Sequence, residues 1–134
     1  MLRTAVAVDL AALAAIRDAS GADALSDPKL IDEVSLTRLI AAGAVIVWVD
    51  DGRMVGFAAA DGATIHLPVD TTARSRGIGR ELLTAICAQV RQAGHPVAAL
   101  TLPPGSSAER HYRSAGWSVI GRSPRGGPVF QKPF

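Results

Sequence analysis

The sequence has 134 residues, of which 49% are hydrophobic and 19% charged, with a net charge of +2, and this balance predicts one globular domain spanning residues 1–134. No apolar run approaches the roughly 20 residues of a membrane-spanning helix, and Met1–Thr4 lacks the layout of a signal peptide, so we expect a cytoplasmic protein without a membrane partner. Cys87 is the single cysteine and cannot form an intrachain disulfide, and the three histidines lack the spacing of metal ligands.

The first third of the chain predicts one strand and two helices. Leu2–Val8 has the composition of a strand, and Asp9–Ser20 predicts a helix with its first residue as the N-cap. The Asp-Pro pair at the start of Asp27–Gly43 predicts a second helix, because proline is tolerated in the first turn and glycine favours the end.

The middle of the chain predicts an antiparallel meander of three strands. The strand-like runs are Ala44–Val49, Met54–Ala60 and Ala63–Val69. They are separated by Asp51-Gly52 and Asp61-Gly62, the dipeptide that favours tight hairpin turns.

The last part of the chain predicts helices and strands in alternation. The predicted elements are a helix over Gly77–Gln92, a strand over Val97–Leu102, a short helix from the capping box Ser106-x-x-Glu109 to Gly116, and a hairpin of Trp117–Arg122 and Val129–Lys132. The helical crossover after the fourth strand favours a parallel fifth strand. The whole pattern predicts an α+β fold, with a mixed, mostly antiparallel sheet of about seven strands flanked by about four helices.

A glycine-containing segment, Arg74–Arg80, leads into the third predicted helix with the sequence RSRGIGR. Unpaired N–H groups at a helix start attract phosphate, Gly77 and Gly79 let it approach the backbone, and the arginines add cationic donors. The segment lacks the third glycine of a dinucleotide-binding loop and the Gly-Lys-Ser/Thr of a P-loop. By itself it indicates an anion-binding site and no particular ligand.

Two spaced motifs together resemble the signatures of the GNAT N-acetyltransferase superfamily. The first is Leu67-Pro68-Val69-Asp70 followed by Arg74-x-x-Gly77-x-Gly79, similar to the family's Arg/Gln-x-x-Gly-x-Gly/Ala after a strand. The second is Ala108-x-x-x-Tyr112-x-x-x-Gly116-Trp117, similar to the family's alanine and tyrosine before a glycine–aromatic pair. The order of elements fits as well, so the resemblance covers the whole chain and implies fourth and fifth strands that splay apart.

The resemblance implies acetyl-CoA as the co-substrate, with no metal, and it indicates which residues would hold it. Contacts to the pyrophosphate would come from Arg74, Ser75, Arg76, Gly77, Ile78, Gly79 and Arg80. Leu67, Pro68 and Val69 would border the pantetheine arm, which lies between the splayed strands like an added strand. A backbone N–H near Val69 would polarise the thioester carbonyl.

Tyr112 matches the position where the family has the general acid that protonates the leaving thiolate. A phenol and a thiol both have basic pKa values, so proton transfer between them is matched. Tyr112 is also the single tyrosine of the chain.

The sequence departs from the family pattern at three positions. Gly105 stands where the family often has an asparagine that contacts pantetheine, and Ala63 and Leu100 stand where it often has a glutamate base. His66 is the nearest candidate for the base, although strand alternation places it on the face opposite Leu67. Glu33, on the second helix, is a candidate for the acceptor side.

We therefore expect an N-acetyltransferase that moves an acetyl group from acetyl-CoA directly to a primary amine. The acidic first half of the chain favours a small cationic metabolite as acceptor. Two alternatives stay open: acetylation of a protein N-terminus or lysine, and a non-catalytic acyl-CoA-binding regulatory domain. Few aromatic and lysine residues accompany the arginines, so nucleic acid is not an expected partner. A homodimer is expected from the family alone.

Overall fold

The computed structural model describes residues 1–20, 24–70 and 77–134. Within these residues, seven strands form one sheet in the order β1-β2-β3-β4-β5-β7-β6. The strands are β1 (Leu2–Thr4), β2 (Val45–Asp50), β3 (Arg53–Asp61), β4 (Thr64–His66), β5 (Val97–Thr101), β6 (Ser118–Arg122) and β7 (Pro128–Pro133). The helices are α1 (Leu10–Ala19), α2 (Glu33–Ala41), α3 (Ile78–Gln92) and α4 (Glu109–Ser114). The predicted fold class is confirmed.

The sheet opens between β4 and β5, as predicted. These strands form the one parallel pair of the described sheet, and their register is limited to Thr64 opposite Ala99. Beyond that point the chain after β4 stays with β3, because Phe57 N–H donates to the Pro68 carbonyl at 3.0 Å and Asp70 N–H donates to the Val55 carbonyl at 2.8 Å. Since β5 diverges from β4 beyond Thr64 and Ala99, a gap opens between the two strands.

Alternating side chains of the sheet pack into two apolar cores on opposite faces. Ile46 belongs to the core beneath α3, whereas its neighbours Val45 and Val47 belong to the core beneath α1 and α2. The α3 stripe predicted from the four-residue spacing is confirmed, since its members Ile78, Leu82, Ile86 and Val90 are all buried. The core beneath α3 includes residues of strands on both sides of the gap, whereas the described strand residues in the core beneath α1 and α2 come from β2 and β3 alone.

The second predicted helix is two elements rather than one. A 3₁₀ turn, Pro28–Leu30, follows Asp27, whose carboxylate accepts the N–H of Lys29 at 3.1 Å. The α-helix begins only at Glu33, where Asp32 provides the N-cap by accepting the N–H of Ser35 at 2.7 Å. The prediction assigned the cap to Asp27 and joined the two elements, which was wrong.

Three further boundaries differ from prediction, each for a local reason. The first strand stops at Thr4, since a 3₁₀ turn over Ala7–Asp9 precedes α1. The fourth strand is shorter than Ala63–Val69, and Pro68 has no N–H for a regular ladder. The helix predicted from Ser106 begins at Glu109, because Ser106 Oγ accepts the N–H of Ala108 in the turn before it.

Asp9 ties the first strand to the first helix, and its loss should lower stability in a pH-dependent way. Its carboxylate accepts a hydrogen bond from the N–H of Val6 at 2.8 Å and one from each terminal nitrogen of Arg3 at 2.8 and 3.0 Å. Asp9 is the N-cap residue of α1, as predicted, but its side chain makes no cap hydrogen bond to that helix and instead bonds to the start of the preceding 3₁₀ turn. Losing this carboxylate should cost about 1–2 kcal/mol, so Asp9→Ala should reduce the free energy of unfolding in urea by about that amount at pH 7.

The pH dependence follows from the pKa of Asp9. Hydrogen bonding from Arg3 lowers the pKa of this carboxyl in the folded protein. A lowered folded pKa gives stability that is present above the unfolded value of about 3.9 and is lost as the pH falls through the folded pKa. The difference between Asp9→Ala and the unchanged protein should therefore shrink below about pH 4. A difference that stays constant down to pH 2.5 would contradict this account.

Candidate active site

A cleft of about 280 Å³ lies where the sheet opens. Its lining residues are Leu25, Leu67, Gly77, Gly79, Arg80, Leu83, His111 and Tyr112. The structure thus brings together five residues that the motifs had singled out separately, namely Leu67, Gly77, Gly79, Arg80 and Tyr112. The cleft runs from the start of α3, past the end of β4, to α4.

The start of α3 forms one wall of the cleft. Gly77 is its N-cap residue with φ of 77°, a left-handed conformation that glycine adopts without strain, and it has no side chain of its own to cap the helix. Gly79 is buried as the second residue of α3, and a Cβ added to it would overlap the side chain of Leu25. Arg80 is exposed at the rim. Arg74, Ser75 and Arg76, predicted to contact the pyrophosphate, lie outside the described residues.

Tyr112 forms the opposite wall and is 1% exposed. Its ring makes edge contacts with His111 and Trp117, with centroids 5.7 and 5.6 Å apart. Its hydroxyl donates to the Leu25 carbonyl at 2.7 Å. Burial raises the pKa of this phenol well above its usual value, so the hydroxyl stays protonated and can act as a donor over the physiological range.

The gap between β4 and β5 is filled by the segment Ala24–Asp27, which we call the strap. On the β4 side, Leu67 N–H donates to Ser26 Oγ at 2.7 Å. On the β5 side, Asp27 N–H donates to the Thr101 carbonyl at 2.7 Å. The strap therefore bridges the two splayed strands, and the Leu67 amide is a backbone donor directed into the gap.

The strap is fixed at its C-terminal end by a buried ion pair. The Asp27 side chain is 0% exposed, and its carboxylate accepts from Arg125 Nε at 2.7 Å. Arg125 belongs to the turn between β6 and β7, so this contact joins the strap to the far edge of the sheet. Near the other end, Ser106 Oγ donates to the Ala24 carbonyl at 3.2 Å.

The two candidates for the acceptor side lie away from this cleft. His66 pairs with Ala59, which belongs to the core beneath α1 and α2, so its side chain lies on the face opposite Leu67 as strand alternation predicts. His66 is 9% exposed, and burial lowers its pKa, which keeps the imidazole neutral at pH 7. Glu33 stands at the start of α2, with its side chain 63% exposed and 3.9 Å from Arg17.

The positions that depart from the family pattern carry no carboxylate near the gap. Leu100 is fully buried in the core beneath α3, where it pairs with Phe130 of β7. Ala63 precedes β4, and its carbonyl accepts the N–H of Ala99 at 2.8 Å. Gly105 lies in the turn before α4 and presents no side chain.

Neither a membrane helix nor a metal cluster is found in the parts of the chain described by the structure. No helix there has the length and apolar character needed to cross a bilayer. Among the same residues, no group of three or more His, Cys, Asp or Glu side chains could hold a metal ion.

The strap was not predicted from the sequence, because residues 21–26 fall between the two predicted helices and were assigned to no element. Ser26 and Asp27 are each 1% exposed, and both are polar residues of types that are usually exposed in loops. No spacing or local motif marks them for burial in the gap.

Comparison with known proteins identifies the family. The family described as Acetyltransferase (GNAT) domain matches residues 17–126. Among proteins with curated functions, none matches the sequence.

Three solved structures share the fold over essentially the whole chain. A ribosomal-protein-alanine N-acetyltransferase from Brucella melitensis is 24% identical, with a TM-score of 0.74, over 100% of this chain and 99% of that one. A PaiA N-acetyltransferase from Thermoplasma acidophilum, in complex with coenzyme A, is 14% identical, with a TM-score of 0.77, over 100% and 98%. An N-acetyltransferase from Staphylococcus aureus Mu50 is 19% identical, with a TM-score of 0.77, over 99% and 97%. The matched family span covers most of the sequence, and the chain therefore belongs to the GNAT acetyltransferase family.

Proposed function

We propose that the protein transfers an acetyl group from acetyl-CoA directly to a primary amine. The observation that carries this proposal is the cleft itself, which joins a glycine-lined helix start, the Leu67 amide and the Tyr112 hydroxyl. The three groups suit the pyrophosphate, the thioester carbonyl and the leaving sulfur of one extended ligand.

The chemistry assigned to these residues needs no covalent intermediate on the enzyme. The Leu67 N–H would stabilise the oxyanion that develops when the amine attacks the thioester carbonyl. The C–S bond would then break, and the Tyr112 hydroxyl would give its proton to the departing thiolate. The pyrophosphate would lie against Gly77 and Gly79, with Arg80 as a nearby cation.

The acceptor side is assigned from charge and protonation state. A small cationic amine suits the acidic first half of the chain, with Glu33 as its candidate carboxylate. His66 remains the candidate base, and its lowered pKa leaves a neutral imidazole. Because it does not line the cleft, it would take the amine proton through bridging water. It faces the α1 and α2 side of the sheet, across β4 from the Leu67 side chain.

Incubation with acetyl-CoA and a panel of amines tests the proposal through release of free thiol. The panel contains small cationic amines, a lysine peptide and a peptide with a free N-terminal alanine, with an N-acetylated copy of each as the matched control. We expect thiol release that requires the free amine and is highest with the small cationic members. Highest release with a peptide would favour the protein-acetyltransferase alternative, and tight binding of acetyl-CoA without release for any amine would favour the non-catalytic one.

A further inference from the structure

The strap occupies the positions that the proposed acyl-CoA needs. Ser26 Oγ accepts the N–H of Leu67, at the position proposed for the thioester carbonyl oxygen. The Leu25 carbonyl accepts from the Tyr112 hydroxyl, where the sulfur would be. The Leu25 side chain lies against Gly79, where the ligand would approach the helix start. Three independent contacts thus place one short segment in one ligand's path.

We propose that the strap is a self-blocking element, which must leave the β4–β5 gap before acyl-CoA can bind. This inference rests on the proposed function, because the blocked positions are those assigned to acetyl-CoA there. It adds a control step to the site: the protein exists in a closed form, with the strap seated, and an open form that accepts the ligand.

The contacts of the strap suit a reversible exchange with the ligand. Opening alone would leave the buried Leu67 N–H and Tyr112 hydroxyl without acceptors, which is unfavourable. A thioester carbonyl and a sulfur would supply new acceptors at the same two donors. The thioester carbonyl replaces Ser26 Oγ as an acceptor in kind, and the sulfur, a weaker acceptor, replaces the Leu25 carbonyl in part, so ligand entry reduces the penalty that keeps the strap seated.

The anchor of the strap differs from its tip. Asp27 is fully buried and held by Arg125, whereas Leu25 is only half-buried. Ser26 is as buried as Asp27, but its side chain is held by the Leu67 N–H rather than by an ion pair. Leu25 and Ser26 can therefore leave the gap while the Asp27 ion pair holds the segment to the turn between β6 and β7. Asp27 is thus the hinge of the movement, and Leu25 is the side chain that blocks the cleft.

Weakening the closed form should tighten acyl-CoA binding. The apparent dissociation constant equals the intrinsic one divided by the fraction of open protein, so a larger open fraction lowers it. Leu25→Ala removes the side chain that covers Gly79, and Ser26→Ala removes the acceptor of the Leu67 N–H. Leu30→Ala is the matched control, since Leu30 is 40% exposed in the following 3₁₀ turn and does not line the cleft.

Titration calorimetry with acetyl-CoA compares the four proteins. We expect the dissociation constant to fall about fivefold or more for Leu25→Ala and Ser26→Ala, and to stay unchanged for Leu30→Ala. Measurable binding by Leu25→Ala and Ser26→Ala, with none by the unchanged protein and Leu30→Ala, would also support the proposal. Equal or weaker binding by both strap variants, beside normal binding by the unchanged protein, would overturn it.

A second measurement follows the strap directly. Ala24 is 0% exposed, so in an Ala24→Cys, Cys87→Ala protein the new thiol is covered while the strap is seated. Saturating acetyl-CoA without an amine, whose acylated sulfur does not react with a maleimide, should speed the reaction of the new thiol about tenfold or more. If the ligand binds and the labelling rate stays the same or falls, the strap does not leave and the inference fails while the proposed function stands. If neither the unchanged protein nor any variant binds acetyl-CoA, the proposed function fails and the inference fails with it.

Discussion

Tyr112→Phe should lower the turnover of acetyl-CoA about 100-fold, the lower end of what a general acid contributes. Phenylalanine keeps the ring and its edge contacts with His111 and Trp117, so the wall of the cleft remains. What is lost is one hydroxyl whose proton would go to the leaving thiolate. At neutral pH the hydroxyl is protonated in every molecule, and the rise in its pKa on burial makes it a weaker acid than an ordinary phenol. Steady-state thiol release at saturating amine gives the turnover number of both proteins.

The affinity of the same variant for acetyl-CoA separates catalysis from binding. In the unliganded protein the hydroxyl donates to the Leu25 carbonyl, so its loss weakens the strap and leaves the helix start intact. The dissociation constant should stay the same or fall. A turnover number within twofold of the unchanged protein would remove Tyr112 as the acid, and a large rise in the dissociation constant would assign it to binding.

Hydrophobic spacing predicted the sheet and α3 because those features depend on which face is buried. It could not divide Asp27–Gly43, because two aspartates compete there as helix caps. Ile31 decides between them: it is 2% exposed, packs in the core beneath α1 and α2, and has an extended backbone with φ of −123°. Burial of this one side chain interrupts the helix, so the chain starts again at Asp32.

The candidate site was predictable only where its residues lie in local motifs. Gly77, Gly79 and Tyr112 belong to patterns of fixed spacing, and the structure places all three at one cleft. The strap contacts join residues far apart in sequence, 41 positions for Leu67 with Ser26 and 87 for Tyr112 with Leu25. No local signal encodes such pairs, because they depend on the gap that the assembled sheet creates.

Gly127→Ala should destabilise the fold by about 3 kcal/mol or more, an unusually large effect for one methyl group. Gly127 lies in the turn between β6 and β7, which is pressed against the end of β5 by the N–H of Leu102 donating to the Pro128 carbonyl at 3.0 Å. A Cβ at Gly127 would overlap the Leu102 carbonyl oxygen and lie 3.2 Å from the carbonyl carbon of Pro103. These neighbours are backbone atoms and cannot rotate away, so the turn must lift from β5 and the Leu102 bond must stretch.

Gly121→Ala is the matched control, because Gly121 is in β6 of the same hairpin and nothing lies within 4 Å of an added Cβ. Its free energy of unfolding should stay within about 0.5 kcal/mol of the unchanged protein. Urea unfolding followed by circular dichroism measures both variants. Indistinguishable unfolding curves for the two alanine variants would contradict this prediction. They would show that the backbone at the end of β5 moves to accommodate the methyl group at little cost.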